Sequence, residues 1–194
     1  MHVRSSCARR RGRRTLHVRA ETLHRAAPRA VAALALAVDQ LAGELGVEAL
    51  DHTAIAVRDI TSALPLYRDL LGGVPNGFER LSQKSFMWLT LRYPNGSQIE
   101  LLQPIDDGGF VKSFLDRYGE GVHHMTFIVG DLRRAVERAR AAGLRVVDED
   151  YRDPRWQEAF ISPRSAFGTI IQLAQTSLSV AERERHWSVA AMDR

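Results

Sequence analysis

The sequence predicts an α+β fold of two tandem βαβββ modules, and three observations carry that prediction. The chain repeats itself at an offset of 72 residues: His52 in DHTAIAV pairs with His124 in HHMTFIV, and Glu100 in SQIELLQ pairs with Gln172 in TIIQLAQ. The same offset joins Val57 to Val129, Asp59 to Asp131, Ala63 to Ala135, Trp88 to Phe160 and Gly96 to Gly168. Each half also runs in one order, an alternating apolar segment, a helix-like segment, then a hairpin. An internal repeat of this kind marks two similar supersecondary units, here related by a pseudo-two-fold axis.

The elements follow in order. Residues 1–28 are polar and Arg-rich without apolar periodicity, which predicts a disordered basic tail. Residues 29–46 read as a helix that ends near Gly46. The first module, 49–104, opens with ALDHTAIAV, a strand by its alternation and β-branched members. Asp59 and Thr61 supply helix-start chemistry for SALPLYRDLLG, with Pro65 near the start and Gly72-Gly73 at the end. A short strand is expected near 76–82. SFMWLTLRY and SQIELLQ read as strands joined at Pro94-Asn95-Gly96, a strong turn signal. A linker over 105–120 holds a helix at FVKSFLDRY.

The second module, 121–176, repeats the plan. GVHHMTFIV is a strand, DLRRAVERARAAG a helix closed by Gly143, and LRVVDED a strand. QEAFISP and GTIIQLAQ form the last hairpin. Residues 177–194 read as a C-terminal helix or tail.

Composition narrows the function. Residues 1–30 carry nine Arg and one Glu, so the other 164 residues hold 18 basic and 22 acidic side chains. The positive formal net charge therefore belongs to the tail. The folded part is mildly acidic, with no footprint for nucleic acid. Cys7 is the only cysteine, which excludes a disulfide framework and a thiolate metal site. No stretch approaches the ~18 apolar residues of a membrane span. VAALALAV after the basic start is too short and too soon ended by Asp39 for a signal peptide. A cytoplasmic setting is expected.

The four matched polar residues are metal-ligand types. His52 and His124 fall at one place on equivalent first strands, Glu100 and Gln172 at one place on equivalent last strands. A lone strand histidine is usually a hydrogen-bonded core residue. Four matched positions are different, and a Glu within IELL is costly to bury without a partner. Imidazole nitrogen with carboxylate and amide oxygen suits a divalent ion. By strand alternation His123 is expected to face away from His124. Asp59 and Asp131 read as helix caps, and Arg152, Arg155 and Arg164 as solvated loop residues.

On these residues the chain resembles the vicinal oxygen chelate superfamily, which includes glyoxalase I, extradiol dioxygenases, fosfomycin-resistance proteins and methylmalonyl-CoA epimerase. The resemblance covers about 49–176. IELLQP, FVKSFLDRYGEGVHHMTF and AFISPRS are similar to stretches of the methylmalonyl-CoA epimerases. It implies a glyoxalase-like fold and one divalent metal ion (Co2+, Mn2+, Zn2+, Ni2+ or Fe2+) on His52, Glu100, His124 and Gln172. It further implies a metal-dependent isomerase or epimerase that abstracts a proton next to a chelated carbonyl of a small-molecule substrate, an acyl-CoA thioester fitting well, and a homodimer. A glyoxalase I-like lyase, an extradiol oxygenase and a metal-free binding protein of the bleomycin-resistance kind are the alternatives. Trp88, Phe86, Phe160 and Trp156 are the expected cleft lining.

The family pattern is broken in places. The last-strand ligand is usually Glu and is Gln172 here. A second acid expected on a strand of the first module aligns with Phe86, and the His often found before the last-hairpin Pro is Ser162. The repeat suggests an exchange: residue 158, at the same offset from Phe86, is Glu. Glu100 and Glu158 are therefore expected as the catalytic acids.

Overall fold

A computed structural model describes residues 44–191 of the chain. The basic tail expected over 1–28, and the helix expected over 29–46 save its last three residues, lie outside the described residues. Eight strands form one mixed sheet in the order β2-β3-β4-β1-β5-β8-β7-β6. In the first module β1 is Val47–Ala56, β2 Val74–Leu81, β3 Phe86–Arg92 and β4 Gln98–Pro104. In the second, β5 is Gly121–Val129, β6 Val146–Asp150, β7 Gln157–Ile161 and β8 Ile170–Gln175. The first strands of the two modules, β1 and β5, meet antiparallel at the centre.

Helices follow where the caps predict. α1 (Ile60–Leu64) starts at Asp59, whose side chain accepts from Thr61 N, and α3 (Leu132–Ala141) starts at Asp131, which accepts from Arg134 N. α2 (Gly109–Tyr118) links the modules, and α4 (Val180–His186) follows the last strand. Pro65 does not sit in the first turn as the sequence suggests. It opens a π-helical continuation of α1 over Pro65–Leu70. Proline removes an N–H and crowds the carbonyl four residues back, and the wider π turn relieves both.

The central register reproduces the repeat. Ala54 pairs with Glu100 in the parallel β1–β4 ladder, and Thr126 with Gln172 in β5–β8. The hairpins do not. Thr90 faces Glu100 in β3–β4, whereas Phe160 faces Gln172 in β7–β8. The second hairpin is two residues longer, so by ladder position Phe160 matches Thr90, not Trp88. Glu158 matches Trp88, not Phe86. Gly96 and Gly168 still coincide in their turns, at φ 85° and 93°, a conformation that costs glycine nothing.

The core lies in three clusters. Leu89, Leu91 and Leu101 pack with Val57 and Ile60 under α1. Val129, Leu132, Val136 and Leu173 do the same under α3. The third cluster, with Ala54, Phe86, Leu102, Val111 and Leu115, seats α2. Each buried Leu contributes about 1.5–3 kcal/mol of apolar transfer. The first two clusters hold the helices α1 and α3 against one face of the sheet. The third shares the opposite face with the polar residues below, since Ala54 lies two positions from His52 on β1 and Leu102 two from Glu100 on β4.

Candidate metal centre

The central strands carry the site because each is bulged at the same place. In the β1–β5 ladder the register shifts between Leu50 and His52 on one strand, leaving Asp51 as the extra residue. It shifts again between His124 and Val122 on the other, leaving His123 extra. A bulge suspends strict alternation and re-aims side chains. His123 therefore does not face away from His124. It sits between Phe110 and Phe114 of α2, with its Nδ1 2.8 Å from His124 Nδ1.

His52, Glu100 and His124 are buried, and one ligand atom from each lies within 4.8 Å of the others. Glu100 Oε2 is 3.4 Å from His52 Nε2 and 3.9 Å from His124 Nε2. The other ring nitrogen of each histidine is engaged by the residue before it. His52 Nδ1 donates to Asp51 Oδ2 at 2.8 Å. His124 Nδ1 has His123. Its Nε2 is buried without a hydrogen-bond partner among the described residues.

Gln172 completes the ring of polar groups. Its Nε2 donates to Glu158 Oε2 at 2.8 Å, and its Oε1 accepts from Thr126 Oγ1. A carboxylate only accepts, so Glu158 sets the amide: nitrogen outward, oxygen toward Thr126. Thr126 Oγ1 in turn lies 2.9 Å from His52 Nε2. Thr126 is fully buried, and its counterpart across the axis is Ala54. Sequence reasoning missed it; the polar residue at only one of two matched positions was the available signal.

Charge follows from burial and neighbours. Burial alone would lower the His52 pKa, but Glu100 and Asp51 outweigh it and raise it to about 9. Burial likewise pushes the Asp51 carboxyl up, and His52 with Arg183 brings it below its usual value. For His124 burial, then His52 and His123, push the pKa well below the ordinary imidazole range. Burial lowers His123 to about 4. The His123–His124 pair is thus neutral near pH 7, one ring donating to the other.

Such a group suits a divalent cation. Two imidazoles and a carboxylate converge, one ring nitrogen is buried without a partner among the described residues, and Thr126 links the Gln172 amide oxygen to His52. Leaving that nitrogen unpaired costs about 1–3 kcal/mol, which an ion would offset.

The centre faces a cleft of about 870 Å³ lined by both modules. Lys84 Nζ donates to Glu158 Oε1 at 3.1 Å, joining the two wings of the sheet across it. Glu158 also accepts from Trp156 Nε1 at 3.2 Å. Phe160 meets the His124 ring edge-on, with centroids 6.1 Å apart. Phe86 is nearly buried against Phe110, and Trp88 lies against Trp187. The aromatic residues expected from sequence all line the cleft. Arg155 lines it too, paired with Asp153. Trp187, from α4's end, was not foreseen.

The family model of the glyoxalase/bleomycin resistance protein/dioxygenase superfamily matches residues 51–160. The chain is 30% identical over 132 residues to the ethylmalonyl-CoA/methylmalonyl-CoA epimerase of Cereibacter sphaeroides, across 65% of this chain and 96% of that relative. It is similar to the crystal structure of methylmalonyl-CoA epimerase from Mycobacterium tuberculosis, with a TM-score of 0.63 and 30% identity over 70% of this chain and 93% of that one. The Streptomyces coelicolor methylmalonyl-CoA epimerase, solved in complex with 2-nitronate-propionyl-CoA, matches with a TM-score of 0.60 and 26% identity, over 68% and 99%.

Proposed function

The chain belongs to the glyoxalase/bleomycin resistance protein/dioxygenase superfamily, and from that membership we propose that it is a metal-dependent epimerase of the methylmalonyl-CoA type. The observation that carries this reading is the convergence of His52, Glu100 and His124, with a buried His124 Nε2 that has no hydrogen-bond partner among the described residues. The similarity to several methylmalonyl-CoA epimerases supports an acyl-CoA thioester with a second carbonyl group as the substrate class. A protein that only sequesters a drug needs no such donors, and burying them costs stability.

His52, Glu100, His124 and Gln172 hold the ion in this reading. A divalent ion in such a site polarises a carbonyl oxygen and so lowers the cost of losing the neighbouring proton. The chain's own residues do the rest. The C–H bond breaks, its electron pair moves toward the carbonyl, and a carboxylate oxygen takes the proton. Glu158 is the base on the open side of the cleft, where Lys84 and Trp156 hold its carboxylate. Glu100, entering the step protonated, would give its own proton to the opposite face while Glu158 keeps the one it removed, which inverts the carbon and leaves the two acids with exchanged protonation states. Phe86, Trp88 and Phe160 supply the apolar walls that exclude water. The working enzyme is read as a cytoplasmic homodimer, with 49–176 as its catalytic unit.

The experiment is direct. Purified protein is analysed for bound divalent metal, then incubated with methylmalonyl-CoA in D2O. Exchange of the substrate's α-proton followed by proton NMR, lost on chelation and regained with added metal, is the expected result. No exchange by metal-loaded protein overturns the reading.

A further inference from the structure

α4 reaches back into the centre from outside the segment that the family model matches. Arg183 Nη1 donates to Asp51 Oδ1 at 2.7 Å, across 132 positions of sequence. The other oxygen of Asp51 accepts from His52 Nδ1 at 2.8 Å. Both charged groups are shielded, with side-chain exposures of 16% for Arg183 and 9% for Asp51. A buried ion pair this close holds both partners in one geometry, because losing either leaves an uncompensated charge.

The helix is seated by contacts of its own. Ser179 and Glu182 form a reciprocal capping box at its start. At its end Trp187 lies edge-on to Trp88 and to Trp156, 6.1 Å from each, and its carbonyl accepts from Phe78 N at 2.9 Å. Glu184 pairs with Arg92 on β3. The face of α4 that closes over the cleft thus presents Arg183 to the residue behind His52.

The two halves of the centre differ here. Behind His124 stands His123, supplied by β5 itself and held by α2. Behind His52 stands an ionised carboxylate whose second oxygen needs a cation, and α4 delivers it. We propose that Arg183 is a positioning residue for the metal centre, fixing the His52 ring through Asp51. This rests on reading His52 as a metal ligand. A ligating imidazole held at its far nitrogen by a carboxylate keeps one tautomer and orientation, and such outer partners are typically worth about 10–100-fold in metal affinity.

The test is calorimetric titration of the metal-free full-length chain with Co2+, with the visible absorption spectrum of the complex as a second readout. Wild type, Arg183→Gln, Asp51→Asn, the double variant and His52→Ala are compared. Arg183→Gln is expected to bind Co2+ about tenfold more weakly with a shifted spectrum, and Asp51→Asn at least as weakly. If Arg183 acts through Asp51, the double variant is no worse than Asp51→Asn alone. It also leaves no orphaned buried ion, which separates lost positioning from lost folding. Wild-type affinity in Arg183→Gln while His52→Ala loses binding overturns this inference and leaves the metal centre standing. Losses that multiply in the double variant overturn it too. Failure of wild type to bind Co2+ overturns both.

Discussion

The Nδ1 atoms of His123 and His124 lie 2.8 Å apart, in a contact between sequence neighbours that a regular strand does not permit. Asp51 and His52 make the equivalent contact 72 positions earlier, also at 2.8 Å. Both follow from bulges at Asp51 and His123, which are themselves matched by the repeat. The duplicated unit is therefore larger than a single buried histidine. It includes the residue that orients it, with a carboxylate in one copy and an imidazole in the other.

His123→Phe tests that pairing. Phenylalanine keeps ring packing against Phe110 and Phe114 but removes the nitrogen partner of His124. Divalent metal affinity is expected to fall about 10–100-fold. The metal-free protein should also melt lower, because His124 Nδ1 is left buried without its partner at a cost of about 1–3 kcal/mol. Metal titration and calorimetric melting read the two quantities separately.

The same comparison shows what a linear sequence reveals. The convergence of His52, Glu100 and His124 was legible because equivalent positions on the central strands share one offset, and the ladders Ala54–Glu100 and Thr126–Gln172 preserve it. The orientation of His123 was not legible, because alternation assumes an unbulged ladder. The two-residue slip that moves Glu158 opposite Trp88 was hidden for another reason. An insertion in the 162–169 turn leaves the strands on either side looking alike. Arg183 was invisible from local pattern altogether, since only tertiary packing of α4 brings it to Asp51.

Thr126→Val removes a hydroxyl without changing shape much. In the metal-free protein that hydroxyl donates to Gln172 Oε1 and touches His52 Nε2. Its loss leaves buried polar groups unsatisfied, and about 1–3 kcal/mol of stability should go. With metal bound, Gln172 and His52 have another partner, so the loss should shrink. Denaturant unfolding with and without metal measures the difference; an equal loss in both forms counts against the four-ligand reading.

Metal binding should stabilise the fold, because the four donors are scattered in the unfolded chain. One site that binds only the native state contributes about 2.7 kcal/mol at a hundredfold excess over Kd. For a chain of this size that is about 5–10 °C in the thermal midpoint. His52→Ala and His124→Ala should each abolish the shift. A metal-induced shift that survives in both variants would place the ion elsewhere.

Glu158→Gln separates two roles that meet on one side chain. Glu158 accepts from Gln172 Nε2, and through that bond it aims the amide oxygen of Gln172 at Thr126. A glutamine at the same place can still accept from Gln172 but cannot take a proton at neutral pH. If the carboxylate only orients Gln172, turnover and metal affinity should both stay near wild type. If it is the base, turnover should drop by about 10²–10⁴ while metal affinity holds. The second outcome is expected, because Glu158 opens onto the cleft beside Lys84 whereas Glu100 lies against both histidines. Proton exchange in D2O adds a finer reading. A variant missing one of two bases should retain exchange from one enantiomer of the thioester while losing interconversion of the two.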